Sequence, residues 1–185
     1  MDFFTRLLGA ALLVIGMVSA EPAQALDPEN TLYLDLEDGR VVIELRPDLA
    51  PGHVARIKEL VREGFYDGIV FHRVIPGFMA QTGDPTGTGS GGSGQKLKAE
   101  FSLEPHVRGS VSMARATSPD SGDSQFFIVY DDAPNLDGKY TIWGAVVEGM
   151  EVIDLIKPGS KGNNGIVEGE REKIIRARIA ADVKE

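Results

Sequence analysis

Eight short runs of β-branched, aromatic and aliphatic residues shape this chain, each bounded by Gly, Pro, Asp or Asn. They are "TLYLDL" (31–36), "RVVIEL" (40–45), "IVFHRVI" (69–75), "FMAQTG" (78–83), "GSVSMA" (109–114), "SQFFIVY" (124–130), "YTIWGAVV" (140–147) and "KIIRARIA" (173–180). Such composition and punctuation read as strands. "EDG" between the first two predicts a tight turn and a hairpin. Only two helical patterns interrupt the series. Pro51 opens the first, with Val54, Ile57, Leu60 and Val61 at helical spacing and Gly64 as its stop. The second covers Met150 to Ile156. Many short antiparallel strands without long helices indicate a barrel or a sandwich. The 185 residues suit one domain, with no internal repeat or linker.

The first 25 residues stand apart. Arg6 and the amino terminus precede a twelve-residue apolar run, Leu7 to Val18, and Ala23-Gln24-Ala25 offers a small-x-small cleavage site. That is the layout of a secretory signal peptide, with an uncleaved anchor as the alternative. The run is short for a membrane span, which needs about 20 apolar residues. Residues 1–25 are therefore expected to be removed and 26–185 to form the domain. The expected location is outside the cytoplasm, in the periplasm or fully secreted. Without Arg6, Asp2 and Glu21 the chain keeps 18 basic against 26 acidic residues, a net −8. That balance argues against nucleic acid, whose phosphates need Lys and Arg. The chain has no cysteine, so its core must hold without disulfides.

Two glycine-rich or turn-rich stretches imitate known sites and fail on inspection. "GTGSGG" (87–92) matches a dinucleotide fingerprint, but no helical pattern follows it and the Walker Lys-Ser/Thr is missing. It reads as a flexible surface loop. "APNLDGKYTIWG" (133–144) lacks the leading carboxylate and closing Glu of a calcium loop. His53, His72 and His106 show no metal-ligand spacing. His72 reads as a hydrogen-bonded structural residue. No metal or cofactor is expected.

"FHRVIPGFMAQTGD" (71–84) poses a sharper problem. Alternate residues of a strand share a face, which groups Phe71, Arg73 and Ile75 against His72 and Val74. Arg73 is either a solvated charge or points into a pocket. In "SQFFIVY", Gln125, Phe127 and Val129 share one face, and Phe126 and Ile128 take the other. One phenylalanine belongs to the core. The other is covered by a helix or forms an exposed binding patch. Met79 and Gln81 likewise share a face. Arg73, Met79, Gln81, Gln125 and Phe127 could form one surface with a cation, two amides and an apolar floor. It holds no nucleophile and no carboxylate pair, which argues against hydrolysis and general acid–base chemistry.

"FHRVIPGFMAQTGDPTGTGSGG", "GSVSMARA", "SQFFI" and "LDGKY…WG" together resemble the cyclophilin family of peptidyl-prolyl cis–trans isomerases, in particular its bacterial exported branch. The resemblance runs from about Asn30 to Asp182. It implies a closed eight-stranded antiparallel β-barrel capped by two α-helices, with an active groove on the outside. It implies rotation of X–Pro bonds in unfolded or flexible protein segments, a role in protein folding. Arg73 falls on the family's catalytic arginine and Gln81 on the glutamine that orients it and holds a substrate carbonyl. Phe78, Met79, Phe127 and Leu136 fall on the proline pocket, and Ala114, Arg115 and Gln125 on the groove beside it. Arg115 replaces the usual Asn. Asn135 stands where many eukaryotic members carry a tryptophan that contacts cyclosporin, so cyclosporin binding is expected to be weak. Tyr140 replaces a histidine lining the pocket. A monomer is expected. Two rivals remain at this point: a barrel that binds proline-containing chains without catalysis, and a carrier of small ligands inside an open barrel.

Overall fold

The computed structural model describes residues 25–184, so the signal-peptide reading of residues 1–25 lies almost wholly outside the described residues. Eight strands form one antiparallel sheet: β1 (Thr31–Leu36), β2 (Gly39–Leu45), β3 (Arg73–Ile75), β4 (Met79–Thr82), β5 (Ser110–Met113), β6 (Phe126–Val129), β7 (Ile142–Glu148) and β8 (Arg176–Ile179). Their spatial order is β3-β4-β6-β5-β7-β2-β1-β8. Each strand falls within, or within one or two residues of, a run picked out by composition. β3 is shorter than its run.

The sheet curls without closing, contrary to the closed barrel expected from the sequence. No ladder joins β3 to β8. Irregular backbone spans the seam instead: Gly68 and Phe71 donate to Ile174 and Glu172, Ile174 donates to Ile69, and Val167 donates to His72. The chain entering β8 reaches the sheet edge through a turn in which Asn164 has φ 51°, ψ 33°. Beyond it, the chain meets the β3 side in isolated bridges, Arg73 with Ile166 and Val70 with Lys173, and not in a ladder. The same seam removes residues 69–72 from β3. Phe71 therefore packs in the main core with Val74 and does not share the face of Arg73.

Two helices flank the sheet. α1 (Pro51–Arg62) buries Val54, Ile57, Leu60 and Val61, the stripe expected from their spacing, and His53 beside it. No side chain of its own caps it. Glu100 does so from a distant loop, accepting from the N–H groups of Gly52 (3.0 Å) and His53 (2.9 Å). A carboxylate there satisfies first-turn donors and meets the positive end of the helix. α2 (Met150–Asp154) ends before the predicted Ile156. Its last turn tightens, with Ile156 donating to Ile153, three residues back. Among the described residues no helix is long and apolar enough to cross a membrane.

The main core lies between sheet and helices. Phe65, Tyr66, Phe126 and Trp143 pack edge to face in series, with ring centroids 5.2–5.6 Å apart. A second apolar cluster of Met79, Phe127, Val129, Ala133 and Leu136 occupies the opposite face of β4 and β6. Phe126 and Phe127 therefore enter different cores, as period-two alternation requires.

Candidate active site

Strand register builds one row of side chains. Arg73 on β3 pairs with Gln81 on β4, Gln81 with Phe127 on β6, and Phe127 with Ser112 on β5. Directly opposed residues share a face, so cation, amide and aromatic ring become neighbours. The next row places Ile75 beside Met79 and Met79 beside Val129.

Arg73 is half-buried and fixed on two sides. Its Nε donates to the Asn164 carbonyl (2.9 Å), Nη2 to Asn164 Oδ1 (3.1 Å) and Nη1 to Gln81 Oε1 (3.1 Å). Met79 Sδ lies 3.9 Å from Nη1. Among the described residues no carboxylate comes within ion-pair distance of it. Burial lowers its pKa from the ordinary value, and Tyr140 opposes that shift. A guanidinium still keeps its proton under these conditions. Three of its five N–H donors meet protein oxygens, which leaves donor capacity for a guest. Asn164 is a partner that sequence reasoning missed. Its only local signal was the turn-forming run "GNNG".

Beside Arg73 lies an apolar pocket. Met79, Phe127 and Leu136 form its buried floor, at 2%, 5% and 6% exposure. Phe78, Ala114 and Tyr140 surround them, partly exposed. The Phe127 ring meets Tyr140 edge to face at 5.7 Å. Phe127 is thus covered, not by an α-helix but by the single 3₁₀ turn Pro134–Leu136, whose Leu136 packs with it. That turn is tied down by His106, whose N–H and Nδ1 lie 2.8 and 3.0 Å from Asp137 Oδ1 and whose Nε2 lies 3.1 Å from Ser112 Oγ. The sequence offered no pointer to this tie. Asn135 sits exposed on the rim.

A cavity of about 260 Å³ adjoins the pocket, lined among others by Gln81, Gly89, Gly91, Ala114, Arg115 and Gln125. Arg115 spends its fork on backbone, donating through Nε and Nη2 to the Lys139 carbonyl (3.1 and 2.9 Å) and stacking 4.5 Å above the Tyr140 ring. Gln125 bridges the wall. Its Nε2 donates to the carbonyls of Gly89 (3.0 Å) and Gly91 (2.8 Å), and its Oε1 accepts from Gln81 Nε2 (2.9 Å). All ten residues assigned from the resemblance therefore meet around one groove.

The loop behind that wall is no flexible linker. Asp84, 1% exposed, accepts from Thr86 N–H (2.7 Å), Thr86 Oγ1 (2.8 Å), Gly89 N–H (2.6 Å) and Gly91 N–H (3.1 Å). Burial alone would raise its pKa; these bonds outweigh burial and bring it down to about 2. Asp123, 6% exposed, accepts from Ser93 N–H and Oγ, Gly94 N–H and Lys96 Nζ. A Cβ at Gly91 would overlap Asp84 Oδ1, and one at Gly92 would come 2.7 Å from Asp123 Oδ2. The glycines are there so that carboxylates can reach the backbone. His72, beneath Gly89, is buried, but contrary to the hydrogen-bonded residue expected from the sequence, neither ring nitrogen has a hydrogen-bond partner among the described residues. Burial pushes its pKa down, which keeps the ring neutral.

Comparison with known proteins agrees with this architecture. Residues 31–179 match the family model described as cyclophilin type peptidyl-prolyl cis-trans isomerase/CLD. A Brucella suis protein named as a probable peptidyl-prolyl cis-trans isomerase is 54% identical over 192 aligned positions, covering 97% of each chain. Peptidyl-prolyl cis-trans isomerase B of Bacillus subtilis is 47% identical, over 76% of this chain and 99% of its own. Among solved structures, a Hirschia baltica cyclophilin superposes with a TM-score of 0.77 at 30% identity, over 87% of this chain and 77% of its own. A Cryptosporidium parvum cyclophilin-type isomerase, crystallised in the presence of the dipeptide Ala-Pro, gives 0.74 at 31% identity, over 80% of this chain and 98% of its own.

Proposed function

The chain belongs to the cyclophilin-type peptidyl-prolyl cis–trans isomerases, and we propose that it turns X–Pro bonds by offering the Arg73 guanidinium to the twisted amide nitrogen. The barrier to rotation, about 18–20 kcal/mol, is amide resonance. Without a catalyst the bond takes tens to hundreds of seconds to turn. As it twists, nitrogen recovers a lone pair. A donor aimed at that nitrogen gains a hydrogen bond only then, so it favours the transition state over either ground state. Arg73 suits this role because it is a half-buried cation without a carboxylate partner among the described residues, set beside an apolar pocket.

In this reading the substrate proline sits on Met79, Phe127 and Leu136, between Phe78 and Tyr140. Gln81 orients Arg73 and holds a substrate carbonyl. Ala114, Arg115 and Gln125 line the path of the preceding residues. The bound segment is a proline-containing stretch of unfolded or flexible polypeptide, and the role is assistance to folding. No step needs a metal or cofactor. The enzyme acts as a monomer outside the cytoplasm, in the periplasm, after removal of residues 1–25. Export rests on the N-terminal layout, and N-terminal sequencing of the protein from cell fractions tests it; a cytoplasmic product beginning at Met1 would count against it.

The observation that carries the catalytic reading is Arg73 held by Asn164 and Gln81 with donors to spare. Arg73→Ala should reduce kcat/KM on a short proline peptide by roughly 10²–10³, the cost of deleting one preorganised donor. Arg73→Lys should also be poor, since a point charge lacks the planar fork. Near-normal turnover in Arg73→Ala would end this mechanism. A binder without catalysis has no use for that fork, which favours the enzyme over the binding module.

A further inference from the structure

We infer that Asp84, which does not itself line the groove but holds two residues of its wall, is a positioning residue for the isomerase: it fixes the orientation of two amides that end on Arg73. The inference rests on Arg73 as the donor and extends the machinery to a buried carboxylate in the loop behind it.

Hydrogen-bond polarity sets the direction of both amides. Each glutamine amide has one acceptor oxygen and one donor nitrogen. The carbonyls of Gly89 and Gly91 can only accept, so Gln125 must turn Nε2 towards the loop. Its Oε1 then faces Gln81 and requires a donor there, which Gln81 Nε2 supplies. Gln81 Oε1 is left facing Arg73 Nη1. Flipping either amide would set oxygen against oxygen at one junction and N–H against N–H at another. The direction of the whole chain is set where it begins, at two backbone carbonyls.

Those carbonyls belong to the residues that Asp84 holds. Asp84 Oδ2 accepts from the N–H groups of both Gly89 and Gly91, and Oδ1 anchors Thr86 twice. One carboxylate thus sets the position of both acceptors used by Gln125. Losing charge-assisted bonds to two backbone N–H groups would be costly, so the loop would rearrange once the carboxylate is lost. Asp123 pins the same loop further on, at Ser93, Gly94 and Lys96, and gives Gln125 no acceptor. It serves as the internal comparison.

Asp84→Asn keeps the size of the side chain but, whichever way the amide turns, sets its N–H₂ against a backbone N–H, either of Gly89 and Gly91 or of Thr86. Misplacement of a catalytic group by such a remote change costs up to about 100-fold. The expected loss in kcat/KM on a proline peptide is about 10- to 100-fold, together with loss of hydrogen-exchange protection at the Gly89 and Gly91 amides. The coupling test separates positioning from general damage. In a Gln125→Ala background, where the relay is already cut, Asp84→Asn should change kcat/KM by less than about twofold. An Asp84→Asn enzyme within about twofold of wild type would overturn the inference. So would an equal loss with and without Gln125, or Gly89 and Gly91 amides that exchange freely in the wild type. If Asp84→Asn does not fold, Gln125→Glu takes its place: it retains the side chain's length, lacks the donor for the loop carbonyls and should lose turnover similarly. A Gln125→Glu enzyme within about twofold of wild type would equally overturn it. Active Arg73→Ala would instead remove the underlying catalytic reading. Inactive Arg73→Ala beside normal Asp84→Asn would remove only the role of Asp84.

Discussion

The two walls of the groove are built in opposite ways. One is apolar: Met79 and Phe127 stand on paired strands, and Leu136 closes over them. The other is backbone: a glycine-rich loop whose N–H groups converge on Asp84 and Asp123. The first is held by burial, which is non-directional and scales with area. The second is held by directed bonds to buried charges, which fail sharply when one partner is removed. A groove that must accept varied polypeptides thus has a compact apolar floor for one ring and a rigid polar wall for orientation.

The largest test of this contrast lies in the apolar wall. Phe127→Ala should cost about 3–5 kcal/mol of stability, as for other buried phenylalanines, and abolish most turnover. Denaturant unfolding checks it; a cost below about 1 kcal/mol would mean the floor is not packed as the burial of Phe127 indicates. At the rim, Asn135→Trp adds an indole face where little area now exists. At about 25 cal/mol per Å², an indole's share of contact is worth on the order of 2–3 kcal/mol. Cyclosporin inhibition should tighten by about 30- to 150-fold, while kcat/KM on a short proline peptide changes less than about tenfold. Equal inhibition of wild type and variant would remove Asn135 from the cyclosporin-contacting position.

In the polar wall, Asp123→Ala removes the charged acceptor of the Ser93 and Gly94 N–H groups and should cost about 1–3 kcal/mol. Its effect on turnover should be smaller than that of Asp84→Asn, because Gln125 takes nothing from residues 93–96. Thermal unfolding and peptide kinetics on the same samples decide this. The smallest effect is acid loosening of the loop alone. Asp84 has its pKa lowered from 3.8 to about 2, and Asp123 is also lowered, burial being outweighed by its bonds to Ser93 and Lys96. A carboxylate with a depressed folded pKa stabilises the protein fully above its unfolded value, and that contribution fades as pH falls through the folded one. Exchange protection at Gly89, Gly91 and Ser93 should therefore decline below about pH 4. The strand amides of Phe127 and Val129 should hold, since β6 pairs through strand backbone with β4 and β5 and not through a carboxylate. Simultaneous loss at both walls would erase the distinction.

Much of this molecule is local information. Alternation alone divided Phe126 from Phe127 and Met79 from Ala80, because side chains of a strand must point to opposite faces. The stripe on α1 and the stop at Gly64 follow from helical spacing in the same way. Arg73 stood out as a charge among apolar neighbours, and the motifs around it led to the pocket residues. What escaped were partners remote in sequence. Asn164 lies 91 residues from Arg73, and Asp123 lies 30 from Ser93. Nothing in "GTGSGG" distinguishes a slack linker from a loop pinned by two carboxylates, because the pins lie outside it.

The open seam has the same origin. Composition and alternation indicated eight strands and which residues of most strands share a face. They could not determine whether β3 would meet β8, since that depends on the path of residues 165–174 across the gap. Period-two and period-three-point-six patterns are written in neighbouring residues and survive without tertiary context. Hydrogen bonds to a buried carboxylate exist only once the fold has brought donor and acceptor within about 3 Å and excluded water. The sequence thus determined the strands, the apolar floor and the identity of the cation; the tertiary structure alone decided what holds that cation in place.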